Sequence, residues 1–191
     1  MKTTKLMAGA LTLLVLVGGA AAAETVQSSE GTVYTLPANV SRIEEYAFYG
    51  DGELREIRIP EGVTEIGDYA FANCWYLTEI TIPESVTSIG RGAFYQCSRL
   101  EKIVLPEGLE KIEKELFGYC RALTSITIPG RVARIEKGAF SGCDHLKDIV
   151  IPDSVKEIDP GWRETQPPYK MKLTIHTTPG SYVEWFAREN K

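Results

Sequence analysis

Apolar residues return along this chain at a fixed interval of 23 positions. The stretch from Leu77 to Cys97, LTEITIPESVTSIGRGAFYQC, is the unit that the rest copies. Pro37, Pro60, Pro83, Pro106, Pro129 and Pro152 set the register. Three residues before each proline stand Tyr34, Ile57, Ile80, Ile103, Ile126 and Ile149. Three after it stand Val40, Val63, Val86, Leu109, Val132 and Val155, and six after it Ile43, Ile66, Ile89, Ile112, Ile135 and Ile158. Eleven after it stand Phe48, Phe71, Phe94, Phe117 and Phe140; fourteen after it stand Asp51, Cys74, Cys97, Cys120 and Cys143. A fixed period of this length, without insertions in the middle, predicts a solenoid. One such coil cannot bury its apolar residues alone, whereas stacked copies cover each column with the next copy of itself.

Within the unit, Glu79-Ile80-Thr81-Ile82 alternates and predicts a short strand, which Pro83 ends because it lacks an N–H for the ladder. Successive strands pair in parallel about 4.8 Å apart. Val86-Thr87-Ser88-Ile89 predicts a second, weaker strand, and Arg91-Gly92-Ala93-Phe94 a single helical or 3₁₀ turn in which Phe94 plugs the coil. The ends depart from the pattern, as solenoid ends must. Residues 24–36 read as an imperfect first coil and N-terminal cap, and residues 37–159 as the repeat array. Residues 160–191 read as a C-terminal cap. In that cap the plug column reaches Arg163, with Trp162 placed to fill the plug one position early, and ETQPPY at 164–169 loops out. Leu173-Thr174-Ile175 restores a strand one residue late, 24 rather than 23 residues from Ile149 and Ile151. A final helix places Tyr182, Trp185 and Phe186 on one face.

The first 23 residues carry Lys2 and Lys5, an apolar run from Leu6 to Val17, and Ala21-Ala22-Ala23. This is the pattern of a cleaved signal peptide; the apolar run is short for a membrane span. The expected mature protein is secreted, extracellular or periplasmic, without membrane insertion after cleavage. The whole chain of 191 residues has a net charge of −5. That balance argues against nucleic acid as a partner, because such binding rests on Lys and Arg contacts to phosphate.

The unit L-x-x-I-x-I-P-x-x-V-x-x-I-G-x-x-A-F-x-x-C resembles the BspA-like (Treponema-type) class of leucine-rich repeat. It is carried here by Leu77, Ile80, Ile82, Pro83, Val86, Ile89, Gly90, Ala93, Phe94 and Cys97. The resemblance covers about residues 34–158, and the GSYVEWFAREN tail resembles the closing segment of such arrays. It implies a right-handed parallel leucine-rich-repeat solenoid on a secreted or surface-bound protein, mostly bacterial. It also implies binding of extracellular proteins, host matrix proteins among them, or adhesion.

Nothing in the pattern points to a reaction. Zinc needs ligands converging on one point, whereas the four cysteines form a column whose outer members are about 14 Å apart. Stacked residues have parallel Cβ directions, which disfavours disulfides. The expected state is four free, buried thiols acting as small hydrophobes. His145 and His176 have no recognisable catalytic partner and read as surface residues. Glu44-Glu45 and Glu113 with Glu115 read as a solvated face, and Gly67 and Gly90 as bend positions. No catalytic, cofactor-binding or metal-binding residue is assigned, and no cofactor is expected.

Function then falls to positions that stacking does not dictate. The exposed sheet face carries Glu56, Arg58, Glu79, Thr81, Lys102, Val104, Ser125, Thr127, Asp148 and Val150, without an aromatic anchor. Tyr49, Trp75, Tyr76, Tyr95 and Tyr119 fall on the turn and the corner after it, in adjacent coils. Either their rings fold over the corner and cover the Phe plugs, or they form an exposed strip of the kind interface hot spots favour. The expected function is an exported, non-catalytic protein-binding or adhesion module; the alternative is a structural or self-assembling envelope component.

Overall fold

Each 23-residue unit closes one turn of a parallel β-solenoid, so the columns of the sequence become columns in space. The computed structural model describes residues 24–28, 31–164 and 172–189. The signal-peptide expectation for residues 1–23 and most of the expected loop at 164–169 lie outside the described residues. Two strands open the chain, β1 (Glu24–Ser28) and β2 (Gly31–Thr35). Short and longer strands then alternate: β3 (Arg42–Ile43), β4 (Leu54–Arg58), β5 (Glu65–Ile66), β6 (Glu79–Thr81), β7 (Ser88–Ile89) and β8 (Lys102–Val104). They continue as β9 (Lys111–Ile112), β10 (Ser125–Thr127), β11 (Arg134–Ile135), β12 (Asp148–Val150), β13 (Glu157–Ile158) and β14 (Thr174–His176), and the helix α1 (Tyr182–Glu189) follows.

The strands before each proline stack in parallel as β2-β4-β6-β8 and β10-β12-β14, and those after it as β3-β5-β7 and β9-β11-β13. Each ladder is interrupted once, between β7 and β9 and between β8 and β10, and the two gaps flank the step from Phe94 to Phe117 along the winding. The third side of the coil has no interruption. There the residues alternate, one amide bonding to the next turn and the next bonding within its own turn. Gly92, Phe94 and Gln96 donate to the carbonyls of Lys114, Leu116 and Gly118 at 3.0, 3.0 and 2.7 Å, while Ala93, Tyr95 and Cys97 donate three residues back. The turn around Phe94 thus takes the form of consecutive hydrogen-bonded turns rather than a piece of helix. Each turn contains left-handed residues in two columns, one led by Tyr46, Tyr69, Gly92, Glu115 and Gly138, the other by Gly50, Asn73, Gln96, Tyr119 and Gly142.

The core is the set of inward columns. Phe71, Phe94, Phe117 and Phe140 are fully buried. Successive rings from Phe48 to Phe140 stack at centroid distances of 5.1, 5.5, 5.8 and 5.4 Å. The widest step, Phe94 to Phe117, falls between the two gaps in the strand ladders. Perpendicular rings close the stack at both ends, Tyr34 against Phe48 and Trp162 against Phe140, each at 5.7 Å. Trp162 fills the last plug as expected.

The cysteine column does more than fill space. Each buried thiol donates to a carbonyl of the preceding turn: Cys74 to Phe48, Cys97 to Phe71 and Cys120 to Phe94 at 3.1 Å, and Cys143 to Phe117 at 3.0 Å. The first turn has no predecessor, and Asp51 takes the position instead. Its carboxylate accepts the Tyr34 hydroxyl at 2.9 Å and the amides of Glu53 and Leu54 at 2.9 and 3.0 Å. All four thiols are free. Burial pushes the Cys97 and Cys143 thiols up from the ordinary 9.0 to about 12 and raises Cys74 and Cys120 as well. The thiolate is the reactive form, so the native protein is expected to leave every cysteine unreacted toward a thiol reagent at pH 8, with reaction only after unfolding. A single fast-reacting thiol in the native state contradicts this. The folded state holds these protons more tightly than the unfolded chain does. Their stabilisation is complete below pH 9.0 and is lost as the pH climbs toward 12.

Three end features differ from the sequence reading. Residues 24–36 do not form a coil; β1 and β2 pair antiparallel, and β2 leads the parallel ladder. Antiparallel pairing needs only a short connection, whereas a parallel neighbour needs a full circuit. Strand β14 is later than expected: Ile175, not Leu173, stands opposite Ile149. The slip from the expected register is two residues, which keeps the same side chains facing inward. In α1 the buried residues are Val183 and Phe186, while Trp185 is 57% exposed. Ser181 caps α1, its hydroxyl accepting the Glu184 amide at 3.1 Å, and the Glu184 carboxylate returns to the Gly180 amide at 2.6 Å.

Candidate functional site

The corner that follows each Phe plug is where the coil lets side chains leave the core. Five aromatic residues were expected there, and the structure divides them. Tyr95 and Tyr119 are half-buried, each lying over a glycine 23 residues on. A Cβ on Gly118 would sit 2.8 Å from the Tyr95 ring, and one on Gly142 would sit 2.5 Å from the Tyr119 ring. The two rings meet edge to face at 5.5 Å. Burial, followed by the nearby Tyr119, raises the Tyr95 hydroxyl above its ordinary value. The rings of these two residues fold onto the next turn's backbone.

Trp75 and Tyr76 do not fold down; they are 50% and 36% exposed. Trp75 forms a wall of an open cleft of about 410 Å³, whose other lining residues are Tyr95, Gln96, Ser98, Tyr119 and Arg121. Tyr76 stands beside it with two guanidinium groups on its ring, Arg55 from the turn before at 4.8 Å and Arg99 from the turn after at 4.7 Å. Such cation–π contacts hold an arginine without neutralising it. Tyr49, 45% exposed, stands two turns before Tyr95 in the same column. It meets Tyr46 edge to face at 5.4 Å, and Tyr46 stacks on Tyr69 at 5.5 Å. Tyr69 continues into a polar cluster: its hydroxyl donates to Glu115 at 3.2 Å, and Arg91 closes on the same carboxylate at 2.9 Å.

Sequence reasoning missed Tyr46, Tyr69 and the arginines of the corner. The two tyrosines share one column, which was a usable signal. The arginines sit in different columns, and only the stacking of three turns brings them to Tyr76. Gln96 and Tyr119 line the cleft in the left-handed conformation, at φ 59° and 61°, which costs a non-glycine residue about 1 kcal/mol.

The sheet face carries a second depression, of about 500 Å³, lined by residues including Arg55, Glu56, Arg58, Glu79 and Thr81. Its charges are of both signs, and Arg58 already pairs with Glu56 at 3.3 Å. The histidines lie on the surface. His145 Nδ1 is 2.7 Å from the Arg121 carbonyl, and His176 Nε2 is 3.1 Å from Asp148. Among the described residues no helix is long and apolar enough to cross a membrane.

The BspA type leucine rich repeat region matches residues 41–162 in six copies. No curated protein matches the sequence. Among solved structures, a leucine rich cell surface protein from Faecalibacterium prausnitzii is similar at 31% identity with a TM-score of 0.62, over 88% of this chain and 41% of its own. A leucine-rich repeat protein from Bacteroides ovatus is similar at 29% identity with a TM-score of 0.56, over 78% of this chain and 46% of its own. The leucine rich repeat protein of T. pallidum shares the fold at 21% identity and a TM-score of 0.63, over 88% of this chain and 92% of its own. The chain thus spans less than half the length of the first two. Solenoids of this kind generally bind proteins and are typically non-catalytic. With six repeat copies over most of its length and the expected turn-by-turn columns in place, the chain belongs to the BspA-type leucine-rich repeat family.

Proposed function

We propose that this protein is an exported, non-catalytic binding module that engages an extracellular or cell-surface protein, including host matrix protein, through the aromatic corner of its solenoid. The observation that carries the reading is the exposure of Trp75 and of Tyr76 between two arginines, beside a cleft walled by Tyr95 and Tyr119. Trp, Tyr and Arg dominate binding hot spots, and here they converge from adjacent turns. The sheet face offers area without such anchors. Export rests on the basic, apolar and small-residue pattern of residues 1–23, and it agrees with the cell-surface character of the F. prausnitzii relative.

Trp75 and Tyr76 are the variants to test, because neither lies beneath another turn. The double substitution Trp75→Ala/Tyr76→Ala is expected to weaken binding to immobilised extracellular-matrix and cell-surface proteins by about 30-fold, the loss of one strong hot spot. Its melting temperature should stay close to that of the unchanged protein. Full binding by the double variant overturns this reading of the corner.

A further inference from the structure

We propose that the corner cleft is a docking site for an extended acidic peptide segment of a partner protein, with Trp75, Tyr95 and Tyr119 as apolar walls, and with Arg121 in the lining and Arg55 and Arg99 on the neighbouring Tyr76 ring as the charges that meet its carboxylates. The proposal rests on the reading of this corner as the binding surface and names what that surface takes.

Charge is the first observation. The chain is acidic, at −5, yet two of the three arginines at this corner, Arg55 and Arg99, are held on an aromatic ring rather than on a carboxylate. Arg42, Arg91 and Arg188 close on carboxylates at 3.2, 2.9 and 2.8 Å. Arg55 and Arg99 take part in no ion pair among the described residues; the Tyr76 ring holds them instead. Arg121 reaches only Asp144, at 3.7 Å. Guanidinium groups present paired N–H donors that match a carboxylate, and here two of them are held in place before any partner arrives. Less side-chain freedom is then lost on binding.

Shape is the second. A cleft of about 410 Å³ lies in the size range of ligand sites, but it is open along the surface rather than enclosed. That suits a chain crossing it better than a small molecule sealed within it. Aromatic-lined grooves are how folded modules take extended, proline-bearing segments, whose backbone has no internal hydrogen bonds to satisfy. The Gln96 amide and the Ser98 hydroxyl, both in the lining, are donors and acceptors for such a backbone. The third observation is cost. Gln96 and Tyr119 occupy left-handed positions that glycine fills in the same column at Gly50 and Gly142. Two of the lining side chains are thus retained where a glycine would fold more easily.

The test is a fluorescence-anisotropy titration of the protein with a short labelled peptide of alternating Glu and Pro. A Gln/Pro peptide of equal length and a sulfated heparin oligosaccharide serve as comparison arms. The Glu/Pro peptide is expected to bind, the Gln/Pro peptide about tenfold or more weakly, and added salt to narrow the difference. Arg55→Gln/Arg99→Gln should weaken the Glu/Pro complex about tenfold. Gln96→Gly should also weaken it while leaving the melting temperature unchanged or higher, which separates loss of binding from loss of fold. Equal binding of both peptides, indifference to the arginine substitutions, or binding of heparin alone overturns the proposal. If Trp75→Ala/Tyr76→Ala abolishes binding to surface proteins while the Glu/Pro peptide fails to bind, the corner remains the binding surface and the acidic segment is wrong. If that variant binds surface proteins normally, both fall.

Discussion

Replacing Phe94 by alanine is expected to cost about 3–5 kcal/mol of stability, the range for emptying a buried phenylalanine site. At this chain length that lowers the melting temperature by roughly 6–20 °C, measurable by circular dichroism. Phe94 is fully buried and lies between Phe71 at 5.5 Å and Phe117 at 5.8 Å, with planes within 2° and 5° of parallel. Its removal leaves two faces of neighbouring rings uncovered at once, so little of the cavity can collapse. Phe48→Ala is the control. Phe48 stacks in parallel on Phe71 only, and its other neighbour is the perpendicular Tyr34; the loss there should be smaller. Position adds a second effect. The Phe94–Phe117 step lies between two gaps, where β7 does not pair with β9, nor β8 with β10. In a solenoid, stability is a sum over turns and their interfaces. Weakening the step that already lacks strand pairing on either side should therefore uncouple the two halves and make the melt visibly biphasic. A single sharp transition in Phe94→Ala would show that the remaining contacts across this step, the turn ladder from Gly92, Phe94 and Gln96 and the Cys120 bond to the Phe94 carbonyl among them, keep the halves cooperative.

How legible the molecule was in its sequence depended on whether a feature repeats. The inward columns repeat, and those from the Ile80 column to the Phe94 column form the core, with Ala47 and Ile59 of the early turns only partly buried against it. Trp162 was legible because only one column needed an aromatic residue there. The slip at β14 was not, because a shift of two residues leaves the in-and-out pattern unchanged. Apolar spacing along α1 could not separate Val183 from Trp185 as the buried residue, since the neighbour it packs on lies outside the repeat. At the corner, Tyr95 and Trp75 were legible as aromatic residues off the core. That Tyr95 lies down on Gly118 while Trp75 stands up depends on which residue the next turn places beneath each ring, a comparison across columns. The hydrogen bond of each cysteine to a phenylalanine carbonyl was hidden for another reason: it joins positions 26 apart, not 23.

Gly90 shows the same dependence on the neighbouring turn, and Gly90→Ala is expected to destabilise the protein by about 1–3 kcal/mol through overpacking. A Cβ there would stand 2.6 Å from the Asp68 amide nitrogen and 2.8 Å from the Gly67 carbonyl carbon. It would also meet the Asp68 carboxylate, which accepts the Arg91 amide at 2.8 Å. These are backbone contacts on one side and a used hydrogen bond on the other, so the turn itself must shift. Gly67 approaches the turn before it in the same way, 2.6 Å from the Glu45 nitrogen. Yet Glu113, Glu136 and Asp159 occupy this column in the later turns, and Glu136 and Asp159 still bond across to Ile112 and Ile135 at 3.0 and 2.9 Å. The column thus holds glycine after β5 and β7, where a Cβ would meet backbone, and a side chain after β9, β11 and β13; we read this as a closer approach of the turns in the first half than in the second. The ladder is interrupted where one gives way to the other, between Gly90 and Glu113. If the close spacing is a property of the three turns together, Gly67→Ala will already have opened it, and adding Gly90→Ala should cost less than the sum of the two single substitutions. Denaturant titration of both single variants and the double variant reads this directly. Strict additivity would mean that each glycine answers only to its own neighbour. A melting temperature for Gly90→Ala within about a degree of the unchanged protein would mean that the early turns adopt the wider spacing at almost no cost.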